Sequence, residues 1–431
     1  MMSLPQILSG LVFLICLFLI FSEKLNRTIT AMVGAVTMVG LGMLLHFYSQ
    51  DQAVEAIDFN TVGLLLGMMA LVALLEPTGL FQYLAVWAGR LSRGSPKRLL
   101  ILLGVVTTVL SMFLDNVTTV VLIAPVTILI CEILGMNATP MLVAEALLSD
   151  TGGVATLIGD PPNVLIASAA GFSFVDFLTH SLPIVAVAWL VALGLLIWLF
   201  RKELAQEPVN KDALMQMHPG EAIRDRKTMV RILIVLGIAI VLFFVAEPLE
   251  LSPSFIALGA GAAAFAWVRP PVNDALKRVD WGVLIFFIAL FVMVGGLEAS
   301  GLLHNLARVL LVGKELPGRL FGIIMIWATS GLSAVVDNVP ITIALIPVLE
   351  DLALQGFTVT PLWWALVFGA GFGGNATIIG STANIVVVAL SEKTRTPITS
   401  TLWHKRGLPV MLATCAVASL LYALMYPLLQ Q

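Results

Sequence analysis

Leu114-Asp115-Asn116-Val117, a polar pair inside a long apolar run, returns later in the chain as Val336-Asp337-Asn338-Val339. The offset is 337 − 115 = 222 residues. A second motif follows each copy. Gly152-Gly153-Val154-Ala155-Thr156-Leu157-Ile158-Gly159 is echoed by Gly373-Gly374-Asn375-Ala376-Thr377-Ile378-Ile379-Gly380, at 373 − 152 = 221. A duplicated chain is implied, and both copies carry acids and helix-breaking residues in sequence that is otherwise apolar. Lipid tolerates neither feature unless protein or water covers it.

Composition supports this reading. Mean hydropathy is +1.02, 59% of the 431 residues are hydrophobic and only 11% are charged, which excludes a soluble globular protein. Runs such as 7–22, 230–245 and 281–297 are apolar enough, and nearly long enough, to cross a bilayer. The first lacks a basic lead-in and a small-residue cleavage site, and 7 + 222 = 229 opens another span, so it reads as a retained helix. Cys16, Cys131 and Cys415 stand singly in apolar stretches and are expected only to pack. The net charge of −3 gives no sign of nucleic-acid binding. No metal site or cofactor is expected.

Each half follows one plan: three spans, an amphipathic connector, an apolar pair broken by Asp-Asn, a glycine-interrupted span and a last span. The first half places these at about 7–22, 28–46, 59–76, 98–133, 140–170 and 181–200. The second places them at about 229–247, 254–268, 281–298, 320–350, 362–390 and 408–428. The arms of each pair are short for a full crossing, which needs about 20 residues, so a re-entrant hairpin is expected. Each half then crosses five times, and an odd number inverts the second half. Of the 23 basic residues, 20 fall on the face predicted as cytoplasmic and only Arg308, Lys314 and Arg319 on the other. This bias puts both termini outside and the 201–231 loop inside. The expected fold is an all-α polytopic membrane protein with two inverted repeats, 1–200 and 229–431, joined by a cytoplasmic linker at 201–228. Such repeats with broken helices near mid-membrane are the architecture of secondary transporters.

Four places need irregular backbone: the two tips at Asp115-Asn116 and Asp337-Asn338, and the breaks at Gly159-Asp160-Pro161-Pro162-Asn163 and Gly380-Ser381-Thr382-Ala383-Asn384. Pro161-Pro162 forces the first break, while small residues must do so in the second. The freed backbone at Gly159 and Gly380, with Asn116, Thr118, Thr156, Asn163, Asn338, Thr377 and Asn384, supplies candidate substrate or ion ligands. Asp115, Asp160 and Asp337 are the candidate proton-coupling acids, with Glu145 and Asp150 less deep, and no Lys or Arg is expected at that depth. Carboxylates buried together take up protons more readily, which suits proton coupling and disfavours a di- or tricarboxylate cargo. Asp and Asn are also ordinary helix caps. Glu76 and Glu298 correspond at 298 − 76 = 222 and read as interface or capping residues, and Trp363, Trp364 and Trp403 as an aromatic belt.

The segment Leu114-Asp115-Asn116-Val117-Thr118-Thr119 with Pro125, the Gly159–Asn163 break, and Val336-Asp337-Asn338-Val339-Pro340 with Pro347 resemble the ion transporter superfamily. Within it they look like the arsenite permease/NhaD-type antiporter group, which includes the melanosomal P protein. The resemblance implies two opposed hairpins meeting two broken helices, in a transport domain that alternates exposure. It also implies that Ser111 and Ser333 stand where related carboxylate transporters use a serine or threonine to help hold sodium. Asn116 and Asn338 match the family asparagines, while Asp115 and Asp337 replace the tip serines. The expected function is a proton-coupled efflux antiporter of arsenite or antimonite in the cell inner membrane, with sodium or lithium/proton exchange as the alternative. A passive anion channel and a non-transporting scaffold are the rivals, and an enzyme is least expected. The expected partners are a small inorganic substrate, protons or sodium, and the lipid bilayer. A homodimer, and a cytoplasmic ATPase docked on the 201–231 loop, are compatible with this reading.

Overall fold

The computed structural model describes residues 3–21, 25–206, 208–305, 316–392, 394 and 396–430. Lys24, Arg308, Lys314, Lys393 and Arg395, which enter the charge bias, and most of the second amphipathic connector lie outside them. The protein is an all-helical polytopic membrane protein. Among the described residues, seven helical stretches are long and apolar enough to cross a membrane, and shorter apolar helices accompany them.

The principal helices of the first half are α1 (Leu4–Phe21), α2 (Arg27–Leu44), α3 (Phe59–Leu75), α4 (Leu80–Ser92), α5 (Pro96–Ser111), α6 (Asn116–Leu134), α7 (Thr139–Gly153), α8 (Pro161–Ala170) and α9 (Leu182–Leu199). Those of the second are α10 (Arg226–Phe244), α11 (Pro253–Val268), α12 (Trp281–Ala299), α13 (Gly318–Ser333), α14 (Asn338–Leu354), α15 (Thr360–Gly373), α16 (Thr382–Ser391) and α17 (Ser400–Met425). Their boundaries follow local chemistry. Ser95 accepts from Arg98 N and is followed by Pro96, which needs no backbone donor at a first helical position. Gly135 and Gly171 end α6 and α8 at φ 68° and 74°, a left-handed turn that a side chain would strain. Both polar tips start helices, α6 after Asp115 and α14 after Asp337.

The two halves interlock. Helix α3 packs on α11 of the other half, and their counterparts α12 and α2 pack together likewise. Gly67 and Gly296 make these approaches close: a Cβ at Gly67 would enter the Ala257 backbone, and one at Gly296 would enter Met38. A second group forms around α7 and α15, which are buried on every side over Thr139–Gly153 and Pro361–Gly373. Helix α7 carries α5 and α6, and α15 carries α13 and α14. Across the halves, α6 lies on α16 and α14 on α8, so each tip meets the other half's break.

The structure departs from two expectations. The arms of the apolar pair are unequal: α6 has 19 residues and is by itself long and apolar enough to cross, although α5 has 16 and α14 has 17. Trp363, Trp364 and Trp403 are buried at 4%, 1% and 0% exposure, so they form no belt. Trp364 stacks on Phe172 with centroids 4.4 Å apart, and Trp403 Nε1 donates to the Asn375 carbonyl at 3.2 Å. Helix α15 is surrounded by protein along its length, so an aromatic at its start packs inward instead of meeting headgroups.

Candidate functional site

The two breaks are built alike. In the first, the Asn163 side-chain amide donates to the carbonyls of Gly153 at 3.1 Å and Thr156 at 2.7 Å. In the second, Asn384 donates to Gly374 and Thr377, both at 3.0 Å. Breaking a helix frees carbonyls that need a donor, and in each copy one asparagine satisfies two of them. The Thr156 hydroxyl ties its break to the tip by donating to the Met112 carbonyl, and Thr377 donates to the Ala334 carbonyl at 2.5 Å. The Gly380 amide in turn donates to the Thr377 hydroxyl at 3.0 Å. Ser333 Oγ donates to the Ala370 carbonyl at 2.8 Å, and Ser111 Oγ lies within reach of both the Ser149 carbonyl, at 2.9 Å, and Asn116 Oδ1. Glycine is obligatory where the backbone crosses itself. A Cβ at Gly159 would stand 2.5 Å from the Gly153 carbonyl oxygen, and one at Gly380 would stand 2.6 Å from that of Gly374.

Both tips and both breaks open on one cavity of about 260 Å³. Its wall brings together Asp115, Asn116, Thr118, Asp160, Asp337 and Asn338, all candidates from the sequence. Ser111, Thr156, Gly159, Asn163, Ser333, Thr377, Gly380 and Asn384 do not line it; they sit behind the wall and brace it. Glu145 and Asp150 are buried away from the cavity, at 0% and 2% exposure. Glu145 accepts from the Thr127 hydroxyl, and Asp150 from Ser381 Oγ at 3.1 Å.

The three acids of the tips and the first break are held differently. Asp115 caps α6, accepting from Thr118 N at 2.8 Å and from the Thr118 hydroxyl. Asp337 caps α14 through Val339 N at 3.1 Å and accepts from Thr382 Oγ1 at 3.1 Å. Asp160 precedes α8 but makes no side-chain cap. The next two residues are prolines and offer no N–H, so its carboxylate turns to Asn338 Nδ2 of the opposite tip at 3.2 Å. Ser381, at the matching place in the second copy, does cap, accepting from Ala383 N at 3.3 Å.

Basic residues stand beside these acids, contrary to the sequence expectation. Arg27 and Arg278 both line the cavity. Arg27 Nη1 donates to Thr382 Oγ1 at 2.6 Å and stands 3.9 Å from Asp337 Oδ2, and Arg278 stands 3.5 Å from Glu76 Oε2. A long side chain carries its guanidinium well away from its own backbone, which a count of residues by depth does not register. Glu76 is thus part of the wall as well as the end of α3. Asp280, Ser381 and Thr382 also line the cavity. A signal for Asp280 existed, since 280 − 58 = 222 pairs it with Asp58, whereas neither arginine has a basic counterpart in the other copy.

Residues 17–369 match the family model described as "Citrate transporter". The chain is 39% identical over 425 residues to a 46 kDa membrane protein of Mycobacterium leprae, spanning 96% of this chain and 97% of that one. It is 31% identical over 482 residues to the human P protein, covering 93% of this chain and 57% of that protein. Its fold is similar to that of the YdaH transporter of Alcanivorax borkumensis, with a TM-score of 0.63 over 99% of both chains at 16% identity.

Proposed function

The chain belongs to the CitMHS citrate transporter family, as a multi-pass secondary transporter of a small solute and not an enzyme, and on that premise we propose that it is a proton-coupled efflux antiporter of arsenite or antimonite. The observation that carries this reading is the make-up of the cavity where tips and breaks converge. Its wall holds five carboxylates (Glu76, Asp115, Asp160, Asp280, Asp337) and two guanidiniums (Arg27, Arg278), a balance of 2 − 5 = −3 when all are ionised. A free tricarboxylate would meet a like-charged wall, so the family description does not carry over as a cargo. A neutral trihydroxide brings three O–H donors, and the carboxylates and the Asn116 and Asn338 amides accept from it without any thiolate. All three cysteines are buried elsewhere. Asp115, Asp160 and Asp337 then exchange protons as the cargo leaves.

The membrane arrangement is part of the same proposal. Two inverted repeats of about five crossings, 1–200 and 229–431, flank a cytoplasmic linker at 201–228 in the cell inner membrane. Glu76, Arg278 and Asp280 stand at helix ends that the charge bias assigns to the cytoplasm, so the cavity is read as facing inward. Sodium or lithium/proton exchange is a second reading with its own support: among the described residues Asp115 has the Thr118 hydroxyl beside it but no ion pair, an oxygen-rich place for a small cation. Everted vesicles with an imposed proton gradient separate the two. Arsenite accumulation that collapses with a protonophore supports metalloid efflux. A sodium-induced dequenching of a pH dye with no arsenite movement overturns it in favour of cation exchange.

A further inference from the structure

The duplication makes Asp115 and Asp337 equivalent by sequence, yet their surroundings differ by one charge. Arg27 starts α2, which packs chiefly on α1 and α12. Its guanidinium reaches across to the second tip and the second break, donating to Thr382 at the start of α16 and standing 3.9 Å from Asp337. Thr382 Oγ1 also donates to Asp337 Oδ2 at 3.1 Å, so acid, hydroxyl and guanidinium form one cluster. The Phe286 ring, 5.5 Å from Arg27 Cζ, covers the guanidinium on another side. Nothing of this recurs at the first tip. The place matching Arg27 is 27 + 222 = 249, a leucine, and the place matching Thr382 is Pro161. The charged groups that surround Asp337 are otherwise acids, with Asp160 across Asn338, Asp150 behind Ser381, and Glu76, Asp115 and Asp280 in the same cavity; Arg278 is engaged with Glu76.

We propose that Arg27 is a built-in counter-cation of the second tip, holding the place beside Asp337 and Thr382 that a mobile cation would otherwise take. The inference rests on reading this cavity as the transport site, and it deepens that reading by making the two duplicated acids unequal. The places beside Asp115 and Asp160 remain open to a mobile cation, while the place beside Asp337 is held by a charge that cannot leave. Arg27 therefore removes one from the mobile positive charges that the acids of the wall would draw. Because the guanidinium comes from outside the tip and break, it also holds these two elements against α2.

The test needs neither arsenite nor a proton gradient. The purified full-length chain is unfolded by heat in detergent and followed with a thiol-reactive dye, which the three buried cysteines meet only on unfolding. NaCl is titrated against choline chloride at constant ionic strength. Arg27→Gln is expected to gain a saturable sodium-dependent rise in melting temperature, half-complete at a concentration at least about tenfold below any wild-type response, because an opposing charge some 4 Å away has gone. Arg27→Lys keeps the charge and should show no gain, and Arg27→Gln with Asp337→Asn should lose it. Should the glutamine variant fail to fold, Arg27→Met preserves packing on Phe286 and is expected to give the same gain. No gain in either neutral variant, or a gain that survives Asp337→Asn, overturns the proposal. A wild type that moves no arsenite overturns the cargo reading instead, and the sodium titration of the variants still decides the role of Arg27.

Discussion

Replacing Asn163 by alanine separates a brace from a ligand. The side chain is 1% exposed, and its amide donates to the Gly153 and Thr156 carbonyls at 3.1 and 2.7 Å. Two estimates bound the loss. Interhelical polar contacts in membrane proteins average about 0.6 kcal/mol, so two such bonds give roughly 1 kcal/mol. Taking the amide away from two buried acceptors costs about 1–3 kcal/mol each, or at most roughly 6 in all. The larger mechanism governs, because the break is packed and the Thr156 carbonyl would keep only a long bond from the Gly159 amide, at 3.4 Å; the expectation is about 3 kcal/mol. Asn384→Ala should lose a similar amount, since the second copy makes the same two bonds at 3.0 Å. The assay is unfolding in mixed mild and denaturing detergent, paired with substrate affinity in proteoliposomes. Both variants should unfold earlier, with transport per folded molecule falling through the maximal rate. Unchanged unfolding together with an about tenfold weaker substrate affinity would exclude a bracing role and make Asn163 a direct ligand.

Asp115→Asn keeps the cap to Thr118 N, because the amide oxygen still accepts, but cannot exchange a proton. It should fold normally and lose more than about 90% of gradient-driven transport, measured in everted vesicles; full transport would remove Asp115 from the mechanism. Gly153→Ala would put a methyl group 2.5 Å from Asn116 Oδ1 and 2.9 Å from the Gly159 carbonyl oxygen. Both neighbours are fixed by the tip and the break, so cost by overpacking of about 1–3 kcal/mol and near-complete loss of transport are expected, read by melting temperature and flux. Trp364→Ala removes a 1% exposed ring stacked on Phe172 and set edge-on to Phe177. A loss of about 3–5 kcal/mol is expected; a belt tryptophan would lose far less, and its loss would respond to the lipid chosen for reconstitution.

The repeated motifs, the apolar helices and the places where they break were legible in the residues themselves. They rest on local physics: apolar length, proline and glycine punctuation, and polar atoms that lipid cannot solvate. The glycines of Gly152-Gly153 and Gly373-Gly374, for example, coincide with the ends of α7 and α15. The division of the candidate residues was not legible. Asn116 and Asn163 look alike in sequence, yet one lines the cavity and the other holds backbone behind it, because that depends on which half supplies the facing surface. Asp160 likewise shows its role only when α14 is brought against α8, placing Asn338 within reach of a carboxylate that two prolines have left without a cap. Trp364 went the same way, since a helix end reads as interfacial until its neighbours are known. Arg27 is the clearest case. Nothing in its local sequence distinguishes it from the other basic residues at helix ends, and only the docking of α2 beside the second tip gives it a partner 310 residues away, 337 − 27. Periodicity and breakers determine elements through contacts a few residues apart, whereas the site's charge balance is a sum over side chains from both halves. That sum exists only once the chain has folded.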